Sequence, residues 1–165
     1  MKNNITLIGM PGAGKSTVGV VLAKVMGYRF VDSDLVIQEK TGKLLSEIIA
    51  EKGTEGFLQV EDDINTGLTC EKSVISTGGS AVYGKNAMAH LKEISTVVYL
   101  KLPYEKVEKR LGNLKDRGVA LKEGQTLKDL YEERCPLYEK YADVVIDADT
   151  TSVEDCMRRI VEGIK

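Results

Sequence analysis

Residues 9–16 read GMPGAGKS, which satisfies the pattern G-x-x-x-x-G-K-[ST]. Gly9, Gly12 and Gly14 let backbone N–H groups turn toward a polyphosphate, where a side chain would block close approach or forbid positive φ. A helix opening at Lys15 adds its partial positive charge. Lys15 is then placed to reach the β and γ phosphates of a nucleoside triphosphate, and the Ser16 hydroxyl to ligate Mg²⁺. Gly12, Ala13, Gly14, Lys15, Ser16 and Thr17 are the expected nucleotide contacts. A glycine turn ahead of a lysine-bearing helix reproduces these letters by chance in only about 1% of chains this long or fewer, so we read a triphosphate site.

Two further groups suit phosphoryl transfer. Asp32 and Asp34 stand in FVDSD at 30–34, and i, i+2 spacing in an extended segment points both carboxylates the same way. Asp32 is expected to support the Mg²⁺ shell through water, and Asp34 to orient or deprotonate an acceptor hydroxyl; the competing role for Asp34 is to cap a helix over 34–40. Thr77-Gly78-Gly79-Ser80 permits close backbone approach to a small ligand, which makes Gly78, Gly79 and Ser80 candidate acceptor contacts. Residues 112–124, GNLKDRGVALKEG, are polar, glycine-bounded and without a clear period, and read as a mobile lid. Within it Arg117 is the candidate to close over a transferring phosphoryl group. Beyond it Arg134 offers a fork of donors to a carboxylate or phosphate, against the plainer role of a surface salt bridge with Glu132, Glu133 or Asp143. Arg158 and Arg159 read as solvated, and His90 as a capping or surface residue.

Such groups need a rigid frame. Short apolar runs at 5–8, 28–31, 73–76, 96–100 and 144–146 alternate with helix-length segments at 15–26, 34–40, 44–68 (broken near Gly53 or Gly56), 85–91, 103–111, 126–141 and 153–162, with Gly163 placed to end the last. Most of the runs lack polar alternation, which predicts a parallel sheet covered on both faces: a three-layer α/β domain with five strands. Right-handed crossovers bring the loops at 9–14, 32–34 and 77–80 to one sheet edge. The 165 residues, 42% hydrophobic and 29% charged, fit a single domain. A net charge of -2 gives no global field for nucleic acid or membrane, and no apolar run approaches the roughly 18 residues of a spanning helix. The expectation is a soluble monomer without nucleic-acid or membrane partners. Cys70, Cys135 and Cys156 are odd in number and widely spaced, which argues against a disulfide framework or zinc site.

With these pieces in place the chain resembles the shikimate kinase family from end to end. The carriers are GMPGAGKST at 9–17, FVDSD at 30–34, the EGF...E pattern at 55–61, TGGS at 77–80 and ERCPLY at 133–138. The resemblance implies a P-loop kinase fold in which Asp32 supports Mg²⁺, Asp34 contacts the accepting hydroxyl and Arg117 contacts the phosphates. It further implies that Arg110 contacts the nucleotide base and that Arg134 helps bind the substrate carboxylate. The implied reaction converts ATP and shikimate to ADP and shikimate 3-phosphate, a cytoplasmic step toward chorismate and the aromatic amino acids. The sequence departs from the family pattern at Leu58, where an arginine pairs with the substrate carboxylate; at Ser80, usually a third glycine; and in the lid, Arg117-Gly118-Val119-Ala120-Leu121. Arg134 alone, or with Lys115 or Lys122, is the candidate to replace the missing cation. Two alternatives stay open at this level: a kinase of another small hydroxylated metabolite, and a catalytically silent nucleotide-binding protein.

Overall fold

The computed structural model describes residues 2–111, 122–149 and 152–165. Five parallel strands, β1 (Asn4–Ile8), β2 (Arg29–Asp32), β3 (Ser73–Ser76), β4 (Ser95–Lys101) and β5 (Val144–Asp147), form one sheet in the order β2-β3-β1-β4-β5. The described helices are α1 (Lys15–Met26), α2 (Ser33–Thr41), α3 (Leu45–Thr66), α4 (Lys85–Ile94), α5 (Tyr104–Arg110), α6 (Leu127–Tyr141) and α7 (Val153–Gly163), with a short 3-10 turn at Ala81–Tyr83. The expected three-layer α/β architecture is therefore present. β1 and β3 are buried along their whole length, as strands covered on both faces must be. No helix among the described residues is long and apolar enough to cross a membrane.

The strand order locates the ligand edge. The chain leaves β1 toward β2 and leaves β3 toward β4, on opposite sides of the adjacent β1–β3 pair. That pair is the topological switch point, and its carboxyl ends open the crevice where open α/β sheets bind ligands. The loop at 9–14 follows β1 and TGGS follows β3, so both glycine loops flank this crevice. Thr77 fixes the second loop to β1 by giving its N–H and its hydroxyl to the Leu7 carbonyl, at 3.2 and 2.8 Å.

Three boundaries differ from the sequence reading for identifiable reasons. β2 runs one residue further, to Asp32, because the Asp32 carboxylate ends the strand by capping α2. That helix consequently begins at Ser33 and not at Asp34. The long helix is kinked at Gly53, one of the two expected places, whose φ of 74° and ψ of 175° are open to glycine alone; Gly56 is not the break. α7 ends at Gly163, one residue later than expected, with Ile164 as its C-cap. A Cβ there would come within 2.9 Å of Val144 Cγ1, so this glycine serves the close packing of α7 on β5.

The main core is built from both faces of the sheet and from α1, α4, α6 and α7. A smaller cluster of Ile37, Ile48 and Phe57 joins α2 to α3, with Leu58 packed against it. It holds Asp34 and the second half of α3 beside the crevice.

Candidate active site

The loop at 9–14 carries positive φ at Gly9, Gly12 and Gly14, the conformation that aims successive N–H groups inward. Lys15 follows as the first residue of α1 and is 7% exposed. Its ammonium donates to the carbonyls of Gly9 at 2.7 Å and Met10 at 2.8 Å. An ammonium has three donors, so one is left to meet an anion above the loop. Burial drives Lys15 down to about 8, opposed by the negative charge of Asp34.

Asp32 and Asp34 have unequal surroundings. Asp32 Oδ1 accepts the N–H of Asp34 at 3.0 Å and is the N-cap of α2. Asp34, which the sequence placed in an extended segment, is a first-turn helix residue, so helix entry and not strand alternation aims it at the crevice. The alternative capping role falls to Asp32. Asp34 Oδ1 is buried without a hydrogen-bond partner among the described residues. Burial, then the Asp32 charge, pushes the Asp34 carboxyl up to about 6, with Lys15 pulling the other way. A carboxylate tuned toward neutrality suits proton abstraction from a hydroxyl.

Lys15, Ser16, Asp34, Gly78, Gly79 and Arg134 line one cleft of about 330 Å³. The two glycine loops touch: a Cβ on Gly79 would sit 2.6 Å from Pro11 Cδ and 2.9 Å from Arg134 Nη1. Arg134 is only 1% exposed, which overturns the surface salt-bridge alternative; of the three proposed partners, Asp143 is held by Lys92 at 3.1 Å. Its guanidinium lies 5.4 Å from the Tyr83 ring centroid, and its Nε donates to the Tyr83 hydroxyl at 3.4 Å. This contact presents the guanidinium to the cleft in a fixed plane.

A second depression borders the phosphate loop, lined by Ala13, Gly14, Thr17, Arg110, Val153 and Cys156 among others. Arg110 Nη1 donates to the Gly12 carbonyl at 3.0 Å, so the side chain expected at the nucleotide base lies against the loop that would hold the phosphates. Arg117 and most of the expected lid lie outside the described residues. Lys122, from its far end, is 3.9 Å from Glu133.

The donors near Ser16 suit a small hard cation. Ser16 Oγ is 3.3 Å from Ser76 Oγ, and the β2–β3 register sets Asp32 opposite Ser76. The backbone register thus brings Asp32 and the Ser16–Ser76 hydroxyl pair to one end of the sheet, and oxygen donors of this kind suit Mg²⁺, which completes its shell from water and phosphate. No group of three or more His, Cys, Asp or Glu side chains collects a metal among the described residues.

Several site residues escaped the sequence reading. Tyr138, fully buried, donates to the Gly79 carbonyl at 2.6 Å and packs on Tyr99 at 5.1 Å. Its i, i+4 spacing from Arg134 on α6 was the available signal. Ser76, Tyr83 and Glu61 also enter only through tertiary contacts. Ser80 lines the cleft, but its hydroxyl is given to Glu61 Oε1 at 2.7 Å.

Comparison with known proteins identifies the family and the fold. A family model described as shikimate kinase matches residues 11–165. A shikimate kinase of Histophilus somni is 36% identical over 99% of this chain and 95% of its own length. One from Haemophilus influenzae is 39% identical over 99% and 93%. Among solved structures, shikimate kinase from Acinetobacter baumannii in complex with shikimate superposes with a TM-score of 0.88 at 34% identity, covering 99% of this chain and 93% of that one. A deoxyadenosine kinase from M. mycoides, 16% identical over 98% of both chains, shares the fold with a TM-score of 0.56. A phosphate loop, a tuned aspartate and a buried arginine around one cleft, carried on the P-loop kinase fold and matched over nearly the whole length, place this chain in the shikimate kinase family.

Proposed function

We propose that this chain transfers the γ-phosphoryl group of ATP to a ring hydroxyl of shikimate, a step of aromatic amino acid biosynthesis. The observation that carries the reading is the convergence of Lys15, Asp34 and Arg134 on one cleft, which joins a phosphate end, a base and a carboxylate-binding end. The acceptor oxygen attacks the γ phosphorus in line, the bond to the β–γ bridging oxygen breaks, and the hydroxyl proton passes to Asp34. Lys15 stabilises charge on the phosphoryl group as it moves, and the lid residue Arg117 is assigned the same task. The Gly78–Gly79 backbone orients the acceptor, Arg134 takes its carboxylate, and Gly12, Ala13, Gly14, Ser16 and Thr17 hold the triphosphate, with Arg110 toward the base. Ser16 and Asp32 are the residues that would hold Mg²⁺, which when bound neutralises phosphate charge.

The same reading makes the chain a single kinase domain with a closing lid at 112–124, a cytoplasmic monomer whose partners are its two small substrates. Its net charge of -2 and scattered exposed apolar residues, Val20, Val25, Leu35, Leu44 and Val145, support that. One observation favours a second reading, a different hydroxylated acceptor: Leu58 is packed into the α2–α3 cluster, so this position supplies no cation for a carboxylate. A coupled ADP-release assay with Mg-ATP decides, comparing shikimate with hydroxy acids, polyols and nucleoside monophosphates. A kcat/KM for shikimate of about 10⁴ M⁻¹s⁻¹ or more supports the first reading. Negligible turnover of shikimate beside an active alternative overturns it, and ATP binding without transfer to any acceptor identifies a silent nucleotide-binding protein.

A further inference from the structure

Glu61 has no part in the chemistry above, yet it is buried behind the cleft-lining Ser80 with 2% exposure. Its Oε1 accepts the Ser80 hydroxyl at 2.7 Å, and its Oε2 is buried without a hydrogen-bond partner among the described residues. Oε2 and Asp34 Oδ1 crowd Gly78: a Cβ built there would lie 3.1 Å from the first and 2.5 Å from the second. Three residues later than Leu58 on α3, Glu61 shares a helix face with a side chain that has no polar group to offer.

The TGGS loop is fixed at three points by three different elements. Thr77 is tied to β1 through Leu7, Gly79 to α6 through Tyr138, and Ser80 to α3 through Glu61. The last is the only one of these ties made by two side chains, and it joins α3 to the residue that directly follows Gly78 and Gly79, which line the cleft. We propose that Glu61 is a positioning residue for the acceptor: through Ser80 it holds the Gly78–Gly79 backbone, so that the acceptor is bound in register with Asp34. The inference rests on the kinase reading but concerns the loop, not the identity of the acceptor. Burial pushes the Glu61 carboxyl up to about 7, Ser80 and the Arg134 charge drawing it down and the Asp34 and Asp62 charges raising it. In either protonation state Oε1 can accept from Ser80.

The test is a mutant cycle on the full chain, read as kcat, acceptor KM and ATP KM. Ser80→Ala is expected to raise acceptor KM about 3- to 30-fold, well within the span of couplings found in one hydrogen-bond network, with ATP KM changed less than about 2-fold. Glu61→Leu is expected to match it, and the double variant to be no worse than the poorer single one. Glu61→Gln, whose amide oxygen still accepts, is expected to rescue acceptor KM to within about 3-fold of the parent. A Ser80→Ala variant with parental acceptor KM, additive effects in the double variant, or an equal rise in ATP KM overturns the proposal. If Glu61→Leu does not fold, Ser80→Ala alone and combined with Glu61→Gln decides, the two being expected to coincide. Failure of the parent to phosphorylate shikimate would overturn the functional reading instead; the cycle then runs on whichever acceptor is turned over, with the same outcomes.

Discussion

The Oδ1 of Asp32 accepts the backbone N–H of Asp34 at 3.0 Å and that of Leu35 at 3.4 Å, so the first carboxylate starts the helix that delivers the second into the cleft. One side chain therefore carries a structural duty and an assigned metal duty, and substitutions separate them. Asp32→Asn keeps a capping oxygen but loses the charge; Asp32→Ala loses both. Both are expected to need more Mg²⁺ for half-maximal rate. Only Asp32→Ala is expected to lose the cap, about 0.5–2 kcal/mol of stability, seen as a lower denaturant midpoint. Equal midpoints for the two variants would show that the cap contributes nothing.

Asp34 should set the acid side of the pH profile. With its carboxyl pushed up to about 6 by burial and by Asp32, kcat/KM is expected to fall about tenfold per pH unit below that value, as the base takes up its proton. Asp34→Asn should lower kcat by about 10²–10⁴ while ATP affinity, measured by calorimetry, changes little. An acid limb that persists unchanged in the residual activity of Asp34→Asn would assign it to another group.

Gly79→Ala tests the contact between the two glycine loops. The new methyl would meet Pro11 Cδ at 2.6 Å and Arg134 Nη1 at 2.9 Å, both well inside ordinary contact. Relief requires movement of the phosphate loop, of the guanidinium, or of both. KM is therefore expected to rise for ATP and acceptor together, in contrast to the acceptor-only effect expected at Ser80. A variant with both KM values unchanged would show that this crevice is wider in solution.

The phosphate loop and the order of the elements were legible because local pattern determines them: glycine spacing, an apolar run before it and a helix after it. The division of labour between Asp32 and Asp34 was legible only in part, since capping decides which carboxylate turns inward and cap geometry depends on where the strand ends. Gly163 was legible as the end of the last helix, but its packing against Val144 was not, since that contact brings together residues 19 apart in sequence. Arg134 was found by its type, but its burial was not, because the wall around it comes largely from Gly79 and Tyr83, more than fifty residues earlier in the chain. Glu61 was quoted as part of a pattern and given no role, and the hydroxyl that donates to it comes from Ser80, 19 residues away. Pairings between distant segments leave no periodic trace in a single sequence.

Glu61 also predicts a pH dependence of stability. Its carboxyl titrates near 4.5 in an ordinary setting and is pushed up to about 7 here, chiefly by burial. Between those values the folded protein holds a proton that the unfolded chain releases. The contribution of this group is thus fully present below about pH 4.5 and is lost as pH rises through about 7. Glu61→Gln removes the titration while keeping the shape and the acceptor oxygen. The thermal midpoint of the parent relative to Glu61→Gln is therefore expected to be highest near pH 4.5 and to decline toward pH 8, other groups cancelling in the difference. A difference that stays flat across this range, or rises with pH, would mean that the Glu61 carboxylate is ionised in the fold and stabilised by a cation that its present partners do not supply.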